Sequence, residues 1–395
     1  AAALAAGEHC AREAATPAAA PAPAGAAERG AAPLETTWWG SATSFRLAAL
    51  LEETHGRVAA DKDFVQTCEE CLKVLKEACS AALSKDEFRV QPFDWTPDVQ
   101  LEAFGSTRQG TALLSSDLDV RMSFQQFDVH DSQRQIKYLK GIQASPGDRF
   151  KVMQLIEARV PLLRLVFDGW LQVDLSMGRA MEGAADGAEE DGEGVDRTLV
   201  AVLAAAAHAQ AAAAAVRFVG LVKAFAKSWC VVDAHAGLPS STSWCCLAIC
   251  FLQMQGCLLS LYELFEAENG ADGPAGKRRP RRQLWPVELT PELFVRFFAF
   301  VEQVGSRPHK VSLLRGSCRG RYWLSAGKSG GPPHPLFVEF PNARRLHYNI
   351  AKSLTPEGWQ KAVGVCREAR QLLLPKAGRP EADACGALRR VFEGS

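Results

Sequence analysis

The chain has 395 residues, of which 47% are hydrophobic and 23% are charged, so it can bury a large core and is expected to form two domains. Its longest apolar runs, 199–216 and 244–252, are alanine-rich or too short for the roughly 18 apolar residues of a membrane helix, so we expect no membrane partner. The formal net charge is zero, which excludes a general basic field and leaves any nucleic-acid site to local patches.

An Ala/Pro-rich segment, 1–36, opens the chain and is predicted to be a disordered tail. Two helices are predicted after it, at 44–53 and 61–83, from apolar residues at three- and four-residue spacing. Cys68 and Cys71 form a C-x-x-C pair on the second helix, but no second pair or histidine cluster lies at zinc-site spacing. We therefore expect free buried thiols in a reducing compartment, cytoplasmic or nuclear.

Alternation of apolar and polar residues begins after residue 85 and predicts strands. Asp168-Gly169 is a favoured two-residue hairpin turn between two of them. These elements predict a mixed α/β catalytic domain at 37–198, with an acidic Gly/Ala-rich surface insertion at 179–194. The predicted strands are 99–104, 118–124, 152–157, 161–167 and 170–176.

The remainder, 199–395, is predicted to be mainly helical, which makes the whole chain an α+β protein. A basic loop at 270–282 interrupts it and is interpreted as an exposed loop, with RNA-backbone contact or nuclear import as the alternatives. The predicted helices are 198–230, 241–266, 291–304, 356–373 and 381–392.

The segment 103–120 carries the sharpest chemical signal. On an extended strand, side chains two residues apart share a face, so Asp117 and Asp119 can converge on hard cations that prefer oxygen ligands. The turn at Gly105 and Ser106 lets the backbone approach a phosphate closely. Its amides and the Ser106 hydroxyl are expected to bind a triphosphate at the start of a short helical segment.

A third acid, Asp174, lies between Val173 and Leu175 in a predicted strand, where an unpaired carboxylate would be costly. A hydrogen-bonded acid at a strand edge is the structural alternative. Three carboxylates from two strands can hold two Mg²⁺ ions roughly 4 Å apart, one activating a hydroxyl and the other neutralising a triphosphate.

These motifs, in this order, resemble the DNA polymerase β-like nucleotidyltransferase superfamily. The helical half is similar to the central domain of poly(A) polymerases and terminal uridylyltransferases, and the resemblance spans about 104–373. The matching segments are FGS at 104–106, SDLD at 116–119, VDL at 173–175, 218–233, 237–253 and NIAKSL at 349–354.

The resemblance implies a nucleotidyltransferase sheet with flanking helices, followed by a helical poly(A) polymerase-associated domain. It implies template-independent transfer of AMP or UMP from ATP or UTP to an RNA 3′ end. In this family pattern Asp117 and Asp119 bind both metals, Mg²⁺ or Mn²⁺, and Asp174 binds the metal that activates the RNA 3′ hydroxyl.

The same resemblance implies further nucleotide contacts. Gly105 and Ser106 would hold the β and γ phosphates. Lys223 and Lys227, four apart on one helix face, would reach the triphosphate; the solvated edge of an amphipathic helix is the structural alternative, and the resemblance favours the phosphate role. Ser241 would add a hydroxyl to the phosphate or the sugar.

Three positions depart from the family pattern. Thr242 stands where the family has a Tyr or Phe that stacks on the base, and the nearby Trp244 is interpreted as a core residue. In the run 194–198, Arg197 replaces an Asn that contacts the ribose, next to Thr198. His347 lies one residue earlier than the His of many uridylyltransferases, so adenylation and uridylation stay open.

Two other classes stay open. Thr242 and Arg197 would suit a degenerate module that binds RNA or a partner without turnover, although an intact set of acids argues against it. An oligoadenylate or cyclic-dinucleotide synthase of the same superfamily would make soluble products. No RNA-recognition domain is recognisable, which leaves RNA specificity to RNA-binding protein partners.

Overall fold

The computed structural model defines the part of the chain that can be described. The predicted tail at 1–36, the loop at 270–282 and the insertion up to residue 192 lie outside it. The described residues are 41–85, 88, 97–125, 127, 129, 131–158, 160–178, 193–269, 283–306, 309–320, 334–342, 345–374 and 381–393.

Two compact units make up the fold. Val58–Val200 forms one, and the other joins the chain before residue 58 to Ala201–Ser395. The first helix, α1 (Ser41–Val58), thus groups with the second half of the chain, although the sequence assigned it to the catalytic domain. Ion pairs explain this grouping, because Glu52 pairs with Arg217 at 3.1 Å and Arg57 pairs with Glu393.

Two helices pack in the first unit. The predicted helix at 61–83 is confirmed as α2 (Lys62–Leu83), and Asp61 caps it by accepting a 2.8 Å hydrogen bond from the Phe64 amide. The second, α3 (Ser132–Ala144), was not predicted, although Asp131 caps it in the same way. Both helices bury apolar faces against the sheet.

The first unit contains a five-stranded mixed sheet in the order β1-β2-β5-β4-β3. β2 and β5 are parallel, and the other neighbouring pairs are antiparallel. All five predicted strands are confirmed within two residues at each end. They are β1 (Val99–Phe104), β2 (Leu118–Phe124), β3 (Phe150–Ile156), β4 (Leu162–Phe167) and β5 (Leu171–Met177).

The predicted hairpin turn between β4 and β5 is also confirmed. Asp168 and Gly169 both have positive φ, 48° and 78°, as a type I′ turn requires. The Trp170 amide donates to the Phe167 carbonyl at 3.1 Å and closes the turn. Arg149 donates to both carboxylate oxygens of Asp168, which anchors the turn to the start of β3.

The predicted long helices of the second half are each broken once. The helix predicted at 198–230 is two helices with His208 capping the second, and the one predicted at 241–266 ends before Gly256, whose φ is 77°. The described helices here are α4 (Glu193–Ala204), α5 (Ala209–Ser228), α6 (Ser241–Met254), α7 (Leu261–Asn269), α8 (Pro291–Gly305), α9 (Pro356–Leu373) and α10 (Glu381–Glu393).

The second unit also contains a four-stranded sheet, in the order β7-β6-β8-β9, that the sequence did not predict. Two of its strands, β6 and β7, have four residues each, which is too few for alternation to be recognised. The sheet adds to the mainly helical second domain that was predicted, and the α+β class of the chain is confirmed. The strands are β6 (His309–Ser312), β7 (Ser317–Gly320), β8 (Leu336–Asn342) and β9 (Arg345–Asn349).

One described helix, α5, is long and apolar enough to cross a membrane by length and composition alone. Of its apolar 18-residue stretch, 67% is buried inside the protein. Phe218 at its centre contacts the rings of Phe251 and Phe294, at centroid distances of 5.9 and 4.9 Å. These contacts are those of a core helix.

Candidate active site

Two of the predicted acids lie side by side on neighbouring parallel strands. The register of β2 and β5 sets Asp119 opposite Asp174. Leu118 and Val120, on either side of Asp119, are completely buried in the core, so strand alternation directs the carboxylates to the opposite face of the sheet. Asp119 is half-buried, and Asp174 is only 9% exposed.

The third predicted acid, Asp117, immediately precedes β2 and is exposed. The adjacent Ser116 is buried, and its hydroxyl accepts a 2.9 Å hydrogen bond from the Leu113 amide. This bond fixes the backbone where the chain enters the strand. The charge of Asp117 acts on Arg164, which lies beside Asp174.

Gly105 brings the backbone against the Asp119 carboxylate. It follows the end of β1 with a φ of 68°, and a Cβ built on it would stand 2.4 Å from Asp119 Oδ2. The turn closes on itself, because the amides of Gln109 and Thr111 donate to the carbonyls of Gly105 and Ser106 at 3.1 and 3.0 Å.

The short helical segment predicted after Ser106 is a set of turns instead. Gly105 and Gly110 both have positive φ, so too few residues remain between them to continue a helix. A phosphate at this turn would meet individual amides and the Ser106 hydroxyl, without the dipole of a following helix.

Arg164 is the site residue that the sequence reasoning missed. It lies opposite Asp174 across β4 and β5, and donates through Nε and Nη2 to the two carboxylate oxygens at 2.9 and 2.8 Å. The hydrogen bond to Asp174, and then the charges of Asp174 and Asp117, raise the pKa of the Arg164 guanidinium. The predicted turn could not have revealed the pair, because counting outward from two turn residues at 168–169 matches position 164 with 173, whereas the strands pair 167 with 171 and so 164 with 174.

More charges continue along the same face of the sheet. Glu102 on β1 pairs with Arg108 from the glycine turn and faces Arg121 on β2 in the strand register. The Arg121 guanidinium lies 5.1 Å from the centre of the Phe104 ring. The face that bears the acids is therefore a mixed array of carboxylates and guanidinium groups.

The carboxylates provide the donor chemistry that a hard divalent cation requires. Among the residues that the structure describes, however, no three His, Cys, Asp or Glu side chains stand close enough to form a metal-binding group. Asp174 is paired with Arg164, and the convergence of all three acids on a cation remains a prediction. The strand register and the carboxylate donors fit the predicted cation. Arg164 would compete with that cation for the Asp174 carboxylate.

The other predicted phosphate ligands belong to the second unit. Lys223 and Lys227 lie one turn apart on α5; Lys223 is buried and Lys227 is half-buried. Ser241 and Thr242 are half-buried in the first turn of α6, where Ser240 caps the helix by accepting from the Ser243 amide at 3.1 Å. Their contacts with a nucleotide remain predictions.

Three other sequence interpretations have different outcomes. Trp244 is confirmed as a core residue, since it is completely buried and its indole donates to the Val231 carbonyl at 2.9 Å. Thr198 is half-buried in α4. The side chains of Arg197 and His347 lie outside the described residues, so their predicted contacts remain predictions.

The palm-like sheet matches a family model. Residues 65–181 match the central palm domain of poly(A) RNA polymerase, mitochondrial-like, a range that includes all three predicted acids and the glycine turn. This part of the chain is therefore similar to the palm domain of poly(A) polymerases. The match confirms the resemblance recognised from the motifs, which is to nucleotidyltransferases.

Solved structures of this family share the fold. The chain is similar to mtPAP in complex with UTP, with 16% identity and a TM-score of 0.64, over 88% of this chain and 73% of that one. It is similar to the Cid1 poly(U) polymerase, with 17% identity and a TM-score of 0.61, over 86% of this chain and 98% of that one. It is also similar to a cytoplasmic RNA terminal U-transferase, with 17% identity and a TM-score of 0.61, over 87% of this chain and 98% of that one.

No curated protein matches the sequence. At these identities the solved structures of poly(A) polymerase relatives establish the fold, and the nucleotidyltransferase architecture predicted from the sequence is confirmed.

Proposed function

We propose that the chain is a template-independent RNA 3′-terminal nucleotidyltransferase that adds AMP or UMP from ATP or UTP. The observation that carries this proposal is the register of Asp119 with Asp174 beside the Gly105 turn. The palm-domain match, which spans these residues, supports the same reaction class.

Asp117, Asp119 and Asp174 are the residues that would hold Mg²⁺ or Mn²⁺. The chemistry supplied by bound cations is a lower pKa for the RNA 3′ hydroxyl and neutralisation of the triphosphate. The carboxylates of Asp119 and Asp174 come from adjacent positions of a rigid sheet, which limits the reorganisation needed at the reacting centre.

The glycine turn would position the nucleotide. Gly105 lacks a side chain where one would collide with Asp119, so a phosphate can approach both the turn and the acid. Backbone amides and the Ser106 hydroxyl can then donate hydrogen bonds to phosphate oxygens. This arrangement holds the phosphates against the carboxylate face, as an in-line displacement requires.

The ligands of relatives support a nucleotide substrate without fixing the base. mtPAP has been crystallised with UTP, GTP and ATPγS, and Cid1 with 3′-dATP. We keep ATP and UTP as rival substrates for this chain, because Thr242 and His347 both depart from the family pattern.

The test is extension of a generic oligoribonucleotide with Mg²⁺ and each of the four NTPs supplied separately. We expect Asp119→Ala to lower extension by at least about 1,000-fold, because removal of a reacting-centre carboxylate costs several orders of magnitude in rate. Asp148→Ala, an exposed acid in the turn before β3, is the control and should extend RNA normally.

Unchanged extension by a folded Asp119→Ala protein would contradict the proposal. A wild-type protein that binds NTP and RNA without extending the RNA would point to the degenerate binding module. Soluble oligoadenylate or cyclic-dinucleotide products would point to the other synthase class.

A further inference from the structure

The Arg164–Asp174 pair occupies the position where the proposed site needs a carboxylate with available oxygens. Both oxygens of Asp174 accept from the same guanidinium, at 2.9 and 2.8 Å. The Asp174 side chain is 12% exposed and that of Arg164 is 33% exposed, so the pair lies mostly out of solvent. Such bidentate pairs are geometrically specific as well as strong.

The charges around the pair explain why a cation belongs there. Asp119 is the direct neighbour of Asp174 in the sheet, and the charge of Asp117 also acts on Arg164. Carboxylates this close repel one another unless a positive charge lies between or beside them. Arg164 supplies that charge from within the chain.

A divalent cation and a guanidinium compete for the same carboxylate. Each carboxylate has about four lone-pair sites, so Asp174 can accept from Arg164 and retain some capacity for a second partner. The positive charge of Arg164 still opposes the arrival of another cation through Coulomb repulsion. Arg164 therefore both orients Asp174 and weakens its attraction for metal.

We propose that Arg164 is a built-in counter-ion that positions Asp174 in the metal-free protein and sets the divalent-cation concentration at which the site fills. This inference rests on the proposed function, because it assumes that the acids hold a divalent cation. It adds a positioning residue that senses cation supply.

Mn²⁺ binding to the full chain tests this role directly, by the electron paramagnetic resonance signal of free Mn²⁺ and without any turnover. Arg164→Gln and Arg164→Met both remove the charge, and we expect each to bind Mn²⁺ about 5- to 10-fold more tightly, the change that corresponds to about 1 kcal/mol. Arg164→Lys keeps the charge and should stay within about two-fold of wild type.

Arg149 offers a matched control on the same sheet. It makes the same bidentate contact, with Asp168, but away from the acids. Arg149→Gln should therefore lose stability and leave the Mn²⁺ affinity unchanged. In a chelator, Arg164→Gln should melt below wild type, and saturating Mn²⁺ should raise its melting temperature more than that of wild type.

Equal or weaker Mn²⁺ binding by folded Arg164→Gln and Arg164→Met proteins would overturn the counter-ion role, even if wild type extends RNA. A purely structural role would give that outcome together with a lower melting temperature. A different result, Mn²⁺ binding that is identical in wild type and Asp119→Ala, would overturn the proposed function itself and this inference with it.

Discussion

At the scale of single residues, the site depends on the absence of a side chain at Gly105. The sequence indicated that this glycine permits close approach of a phosphate. The structure adds that its missing side chain also makes room for Asp119, whose Oδ2 lies 2.4 Å from where a Cβ would be. A positive φ and a close contact thus act at one position.

We expect Gly105→Ala to abolish most RNA extension, because the new methyl group must displace the Asp119 carboxylate. Its backbone strain alone should lower the free energy of unfolding by about 1–2 kcal/mol. Steady-state extension and thermal melting of the purified variant would measure the two effects.

The Gly169→Ala variant separates the effect of backbone strain from the effect of a steric clash with Asp119. Gly169 has a similar φ of 78°, but a Cβ there meets nothing within 4 Å. This variant should lose the same free energy of unfolding as Gly105→Ala and still extend RNA at the wild-type rate. Equal activity of the two variants would contradict the steric role of Gly105.

At the scale of elements, the sequence predicted the strands of the first sheet, whose alternation is clear, and missed the shortest strands of the second sheet. β1 and β2 alternate cleanly, and both were placed at their observed bounds. β6 and β7 have four residues each, which is too few for alternation to show. Arg164 was missed because its pairing with Asp174 depends on the strand register, and a two-residue turn at 168–169 predicts a register that differs from the observed one by one position.

The helix α2 makes stability depend on pH through its buried cysteines. Burial, followed by the charges of Cys68 and other neighbours, raises the pKa of Cys71 from 9.0 to about 12. The unfolded chain therefore releases this proton first as pH rises. The stability contributed by the neutral thiol is complete below about pH 9 and is lost between about 9 and 12.

We expect the stability gap between wild type and Cys71→Ala to narrow by about 1.4 kcal/mol per pH unit above pH 9. Denaturant titrations at pH 8, 9.5 and 10.5 would measure it. Leu75→Ala, which removes a buried side chain of the same helix that carries no titratable group, is the control whose gap to wild type should stay constant. A constant gap for Cys71→Ala would contradict the buried-thiol explanation.

At the scale of the whole molecule, the order of the elements along the chain does not match their grouping into compact units. α1 precedes the palm domain in sequence, yet it groups with the unit formed by Ala201–Ser395. Helix periodicity revealed that α1 exists. It could not reveal the partner of α1, since its ion pairs reach Arg217 and Glu393 across most of the chain.

Leu51 on α1 and Leu139 on α3 are both completely buried, in different units. Truncating either to alanine should cost about 2–5 kcal/mol. We expect Leu51→Ala to speed hydrogen exchange in α5 and α10 while β2 and β5 stay protected, and Leu139→Ala to do the reverse. Equal loss of protection in both units from one variant would show that they unfold together.

The short connection between β4 and β5, residues 168–170, has a consequence for how similar chains can vary. Adding one residue there would slide β4 along β5 by a single position and set a core leucine, in place of Arg164, across from Asp174. Amino-acid substitutions in this connection preserve the number of residues between the strands, whereas insertions and deletions change that number. Relatives that keep this ion pair should therefore differ in the composition of the loop but not in its length.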